Sequence, residues 1–220
     1  MNSSAVDALM RATRSVPVVM VGVSHAVESG FVRSLTRPGG NVTGVVNQAG
    51  DLNGKIVDLL RTARPGLQRL GVVWSPANRG SALGFQGMQA TAAAAGLRCV
   101  SLPVNQTAQI EPALAVAGSE GVEALLVHPT QPIAVGGRRI MAWALAQRVA
   151  TVGQASWVRD GFLMSYPANN EAVYRAAAAQ VDRVLRGAKP ADLPVEQPTR
   201  FDLVLNLKAA TRALPACARP

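Results

Sequence analysis

LGVVWSPANRGSALGFQGMQATAAAAGLRCVSLPV, residues 70–104, is the stretch whose reading decides the fold. A short β-rich apolar run at 70–74 breaks at Ser75-Pro76. An alanine-rich stretch at 82–95 follows, with apolar residues at helical spacing, then Gly96 and a second β-rich run at 99–104. Strand, helix and strand in this order make a βαβ unit, whose two strands run parallel. Alanine is the best helix former, so 92–95 reads as close-packed helix and not as linker, and Gly96 tolerates the left-handed conformation that ends a helix.

The pattern repeats outward. Further strands are expected at 16–23 (VPVVMVGV), 124–128 (ALLVH) and 150–153, with a short one at 42–46. Helices are expected at 54–64, where Ile56, Leu59, Leu60 and Ala63 form one stripe, at 138–148, and at 171–186, which carries Val173, Ala177, Val181, Val184 and Leu185. Pro65-Gly66 and Gly187 stand where helices must stop. An extended connector over 191–198, with Pro194 and Pro198, leads into a last strand at 201–205. A short helix is expected after Val27, with Arg37-Pro38-Gly39-Gly40-Asn41 as its C-cap and turn. The class is α/β, with parallel sheets buried between layers of helices.

The 220 residues, 49% hydrophobic and 16% charged, are enough for one large domain or two small lobes and exclude disorder as the main state. Lys+Arg 22 against Asp+Glu 13 leaves +9, but lysine occurs only at Lys55, Lys189 and Lys208 and the arginines are scattered, so no polybasic arm points to nucleic acid. The longest apolar run, 16–23, is far below the roughly 20 residues of a membrane span. Asp7, Arg11 and Arg14 interrupt what a secretory signal would need as an apolar core. Cys99 and Cys217 form no CxxC motif, and neither His25 nor His128 has a second ligand at metal-binding spacing, so no metal and no cofactor is expected.

In open α/β sheets ligands sit at the carboxyl ends of the strands. That rule selects Ser24 and His25 after the first strand, Ser75 and Asn78 after 70–74, and Thr130 just past His128. It also selects Gln154 and Trp157 after 150–153, and Tyr166 after the run Phe162 to Ser165. Each has an ordinary alternative: Ser24 as a helix cap, His25 as a solvated loop residue, Trp157 as a core side chain, the others as turn formers. Adjacent Ser24 and His25 do not make a triad and no G-x-S-x-G elbow occurs. Hydroxyls, amides and aromatics with no carboxylate pair or activated nucleophile suit binding, so no catalytic residue is assigned and an enzyme is not expected.

RPGGNVTG (37–44), LLRTARPGLQRLGVVWSPAN (59–78), GFLMSY (161–166) and VDRVLRGAKPADLPVEQPTRFDLVLNLKAA (181–210) together resemble the ABC-transporter substrate-binding protein family that includes tryptophan- and tyrosine-binding members. The likeness runs from about Val16 to Ala210. It implies the type I periplasmic-binding-protein fold, a small amino-acid-like ligand held by closure of two lobes, and a membrane permease as partner. On this chain it implies a partial first lobe at 1–48 and 167–190, a second lobe at 49–166 and 195–207, and a tail at 208–220. The family usually has Asp-Pro where this chain has His25-Ala26. It also has βα units before Val16 that are absent here, which implies an N-terminally truncated first lobe. Location in the periplasm or cell envelope follows from the resemblance; with no signal visible, a true start at Met1 implies the cytoplasm. The rivals are a cytoplasmic ligand-sensing module of the same fold and a truncated product that binds nothing.

Overall fold

The structure is a computed structural model and describes residues 3–47 and 52–213. In chain order the elements are α1 (Ser3–Ala12), β1 (Val18–Val23), β2 (Val42–Val46), α2 (Asn53–Ala63), β3 (Arg69–Trp74), α3 (Arg79–Ala94) and β4 (Arg98–Pro103). There follow α4 (Ile110–Ser119), β5 (Ala124–Val127), α5 (Gln131–Val135), α6 (Gly137–Ala146), β6 (Ala150–Val152) and α7 (Ala155–Asp160). The chain ends with β7 (Met164–Ser165), α8 (Asn170–Leu185), β8 (Val204–Leu205) and α9 (Leu207–Ala213). It divides into two compact units. Unit 1 is Met1–Gly50, Asn78–Gly84 and Ala168–Phe201; unit 2 is Asp51–Ala77, Phe85–Pro167 and Asp202–Pro220.

In unit 1, β1 and β2 pair in parallel, Val18 beside Val42 through Val21 beside Val45, with a register slip between Val21 and Val23. Strands alternate their side chains between two faces, and both faces are covered. Val18, Met20, Val42 and Val46 pack with Val6 of α1, Phe31, Val32 and Val195. Val45 packs on the other face with Ala168, Val173 and Ala177, at the start of α8 and along it. Gly44 has φ +133, and a Cβ there would collide with the Met20 backbone, so only glycine lets these strands meet.

Unit 2 is a six-stranded sheet in the order β4-β3-β5-β6-β7-β8, parallel except that β8 runs antiparallel to β7. Leu125 and its neighbour Leu126 point to opposite faces. The first joins Leu102, Ile110, Ile133, Ile140, Trp157 and Phe162, the second joins Leu60, Leu70, Val72, Met88 and Ala92. The α/β class and the 70–104 unit stand as expected: β3 and β4 are parallel neighbours joined through α3.

Three local expectations are corrected. No helix follows Val27: residues 24–31 form turns, closed by the Ser29 amide donating to the His25 carbonyl at 2.8 Å and Phe31 to Ala26 at 2.9 Å. Gly39, at φ +71, is consequently a turn residue in an irregular segment and not a helix C-cap. The last strand shrinks to Val204–Leu205, because Phe201 instead bridges Ala168 in unit 1. Among the described residues no helix is long and apolar enough to cross a membrane.

Candidate functional site

In unit 1 the site begins where β1 ends. The Ser24 hydroxyl donates to Asn47 Oδ1 at 2.6 Å, tying the end of β1 to the residue after β2. Ser24 therefore caps no helix. His25 takes φ +55, a left-handed conformation that L side chains rarely adopt, and its Nε2 is buried with no partner among the described residues. A strained backbone carrying an unsatisfied buried polar atom is the kind of feature that a binding function keeps in place. Arg79 anchors the same loop by donating to the Glu28 carbonyl at 2.7 Å. Asn78 stands at the start of α3. Its Oδ1 accepts from the Ser81 amide at 2.9 Å, a capping bond, while its Nδ2 donates to Ser4 Oγ at 3.1 Å.

In unit 2 the neighbouring parallel strands β3, β5, β6 and β7 end on one rim, so Ser75, Thr130, Gln154 and Tyr166 follow them in spatial order across it. Ser75 is buried and donates to Asn105 Oδ1 at 2.9 Å, and the same oxygen accepts from the Ala77 amide at 3.0 Å. Thr130 precedes α5, yet its hydroxyl makes no capping bond; Oγ1 is buried with no partner among the described residues. Gln154 holds the equivalent place before α7 and also caps nothing with its side chain. Tyr166 is half-buried directly after β7.

Trp157, whose amide donates to the Gln154 carbonyl at 3.0 Å, turns its side chain into the core. It is 8% exposed, its ring centroid lies 5.1 Å from that of Phe162, and it fills the space above Gly137 and Gly153, where a Cβ would meet the indole at 3.3 Å and 2.7 Å. It also borders a cavity of about 160 Å³ with Met141, Arg138 and Asp160.

Asn47 and Ser4 in unit 1 and Asn105 in unit 2 are the partners of these groups and were not selected from the sequence. The strand-end rule applied to β2 and β4 would have found the two asparagines; nothing in the pattern around Ser4 marks it. The ion pairs Arg98–Glu120 and Arg64–Glu123 sit where strands β4, β3 and β5 begin, at the end of the sheet opposite these residues. Among the described residues no cluster of three His, Cys, Asp or Glu side chains is arranged for a metal ion. Cys99 has its thiol pKa raised by burial and lies on β4, away from the rim residues in sequence.

The model of the ABC transporter substrate binding protein family matches residues 1–214. A tyrosine-binding protein of Clostridioides difficile (strain R20291) is 22% identical over 207 residues, 93% of this chain and 59% of the relative, so the chain spans less than two thirds of that relative's length. A solved ABC domain from Streptococcus pneumonia, in complex with L-Trp, is 28% identical with a TM-score of 0.85, covering 95% of this chain and 70% of the other. A conserved domain protein from Vibrio cholerae, at 22% identity and a TM-score of 0.87, covers 96% and 71% and shares the fold. With the family model matching residues 1–214, this chain belongs to the ABC transporter substrate-binding proteins.

Proposed function

We propose that the chain is the solute-binding component of an ABC uptake system, taking a small amino-acid-like ligand in the cell envelope and delivering it to a membrane permease. The units close on the ligand because it binds the closed form more tightly; without differential affinity nothing would drive closure. Ser24, His25 and Asn78 contribute from unit 1, and Ser75, Thr130, Gln154 and Tyr166 from unit 2. Trp157 contributes packing beneath the rim. No group acts as nucleophile or base.

The observation that carries this reading is that, among the described residues, two buried polar atoms at strand ends lack partners, His25 Nε2 in unit 1 and Thr130 Oγ1 in unit 2. An unsatisfied buried polar group costs about 1–3 kcal/mol, and a ligand that supplies the missing bonds recovers part of that. The 28% identity to an L-Trp complex supports an amino-acid-like ligand.

Thermal-shift measurement against the amino acids, with L-tryptophan and L-tyrosine first, tests the reading. A ligand present at about 100 times its Kd stabilises the folded chain by about 2.7 kcal/mol. His25→Ala and Thr130→Ala should each weaken binding by roughly tenfold, the equivalent of one lost hydrogen bond. Absence of a shift with any amino-acid-like compound would overturn the ligand class, and unchanged affinity in both variants would overturn the assignment of these residues.

A further inference from the structure

The cavity beside Trp157 is walled by three helices on one face of the unit 2 sheet. Ala134 closes it from the end of α5, Arg138 and Met141 from α6, and Trp157 and Asp160 from α7. Ile133, Ile140 and Val158 of the same helices are buried in the core cluster beneath. The inner wall is well packed: Phe162 is 1% exposed and its ring lies against that of Trp157. Met141 reaches the wall because Gly161 has no side chain, since a Cβ there would stand 2.7 Å from Sδ. At about 160 Å³ the cavity is close in size to one of about 150 Å³ that holds a single benzene ring.

Two of the lining residues carry opposite charges. Among the described residues neither the Arg138 guanidinium nor the Asp160 carboxylate makes a hydrogen bond or an ion pair, with each other or with any third group. The next residue along α6 differs: Arg139 is held by Glu111 at 3.1 Å. Arg138 and Asp160 are both exposed, so each keeps its hydration while the cavity is empty. Every lining residue falls within 134–162, in unit 2, and the site needs no residue of unit 1.

We propose that this cavity is a second small-molecule site, separate from the strand-end residues, for a free amino acid with a compact apolar side chain. The apolar side chain enters against Trp157, Phe162 and Met141. The ligand carboxylate takes the Arg138 guanidinium, whose planar fork suits it, and the ligand ammonium takes the Asp160 carboxylate.

The charge pattern selects this class over its neighbours. A cavity of this volume is only a few ångströms across, so the groups that answer Arg138 and Asp160 must leave the ligand close together, as they do from the α-carbon of an amino acid. A purely apolar compound answers neither charge. A simple carboxylate brings its charge beside Asp160 and a simple amine beside Arg138, and in each case the like charges repel.

Titration of the isotope-labelled full chain with L-phenylalanine tests the proposal, read by NMR at the Trp157 indole N–H, with circular dichroism to verify folding of each variant. The signal should shift saturably. Arg138→Ala and Asp160→Ala, both at exposed side chains, should each weaken binding by about tenfold, the equivalent of one charge-assisted hydrogen bond. Ala134→Leu, which fills the cavity, should abolish the shift. Hydrocinnamate, which lacks the ammonium, and phenethylamine, which lacks the carboxylate, should each bind about tenfold more weakly than L-phenylalanine. His25→Ala/Thr130→Ala should leave the Trp157 response unchanged, so failure of the strand-end site and failure of this one are distinguishable. Absence of a shift overturns the proposal, as does equal binding of the two singly charged analogues. A response lost in His25→Ala/Thr130→Ala, or kept in Ala134→Leu, places the ligand elsewhere and overturns it too.

Discussion

At the scale of single residues, His25 joins strain to function. Holding a non-glycine residue at φ +55 costs about 1–2 kcal/mol, offset in part by the greater freedom glycine brings to the unfolded chain. His25→Gly should therefore raise stability in urea by up to about 1 kcal/mol while reducing the ligand-induced thermal shift. A destabilised variant would show that the left-handed backbone is not strained. Cys99 gives a second residue-level prediction. Burial disfavours the thiolate and raises its pKa above the ordinary thiol value. The unfolded chain then ionises first, so the contribution of Cys99 to stability is complete below the unfolded pKa and is lost as pH rises through the folded one. In a Cys217→Ser background, alkylation of Cys99 at pH 8 should be slow in the folded chain and much faster in denaturant; equal rates would contradict the shift.

At the scale of elements, the β1–β2 pair depends on Gly44. Gly44→Ala combines a positive φ with a backbone collision against Met20, and should destabilise unit 1 by more than about 3 kcal/mol or abolish soluble expression. The cap of α8 is a milder case. Asn169 Oδ1 accepts from the Ala172 amide at 2.9 Å, and Asn169→Ala should cost about 1 kcal/mol in a denaturation titration. The elements legible in the sequence were those with clear periodicity, such as α8, or with strong composition and glycine or proline stops, such as β3 and the alanine-rich α3 ahead of Gly96. The turns at residues 24–31 were not legible, because their polar, glycine-punctuated pattern fits a short helix equally well until the carbonyls of His25 and Ala26 find their partners. Helix α1 was legible in principle, since Val6 and Met10, four residues apart, form an apolar stripe that packs with Val18 and Met20 of β1.

At the scale of the whole molecule, the two units differ in how their sheets are built. Unit 2 surrounds β3, β5 and β6 with strands on both sides and apolar clusters on both faces, whereas unit 1 has two described strands with β1 at an edge. A two-stranded sheet is marginal without further packing. Hydrogen exchange should therefore find the β1 amides exchanging well before those of β3 and β5, and ligand binding should slow them; equal protection in the two units would contradict this.

The sequence by itself determined the α/β class, the order of most strands and helices, the family and the strand-end positions of Ser24, His25, Ser75, Thr130, Gln154 and Tyr166. These follow from periodicity and chain order, which are local properties. Only the tertiary structure decided which polar atoms are satisfied and which are not: Asn47 takes the Ser24 hydroxyl, Asn105 takes that of Ser75, and His25 Nε2 and Thr130 Oγ1 are left buried with no partner among the described residues. It also decided that Trp157 lies in the core and that Arg138 and Asp160 line one cavity beside it. Hydrogen-bond satisfaction and burial depend on groups that are distant in the chain and brought together only by packing, so no local pattern encodes them.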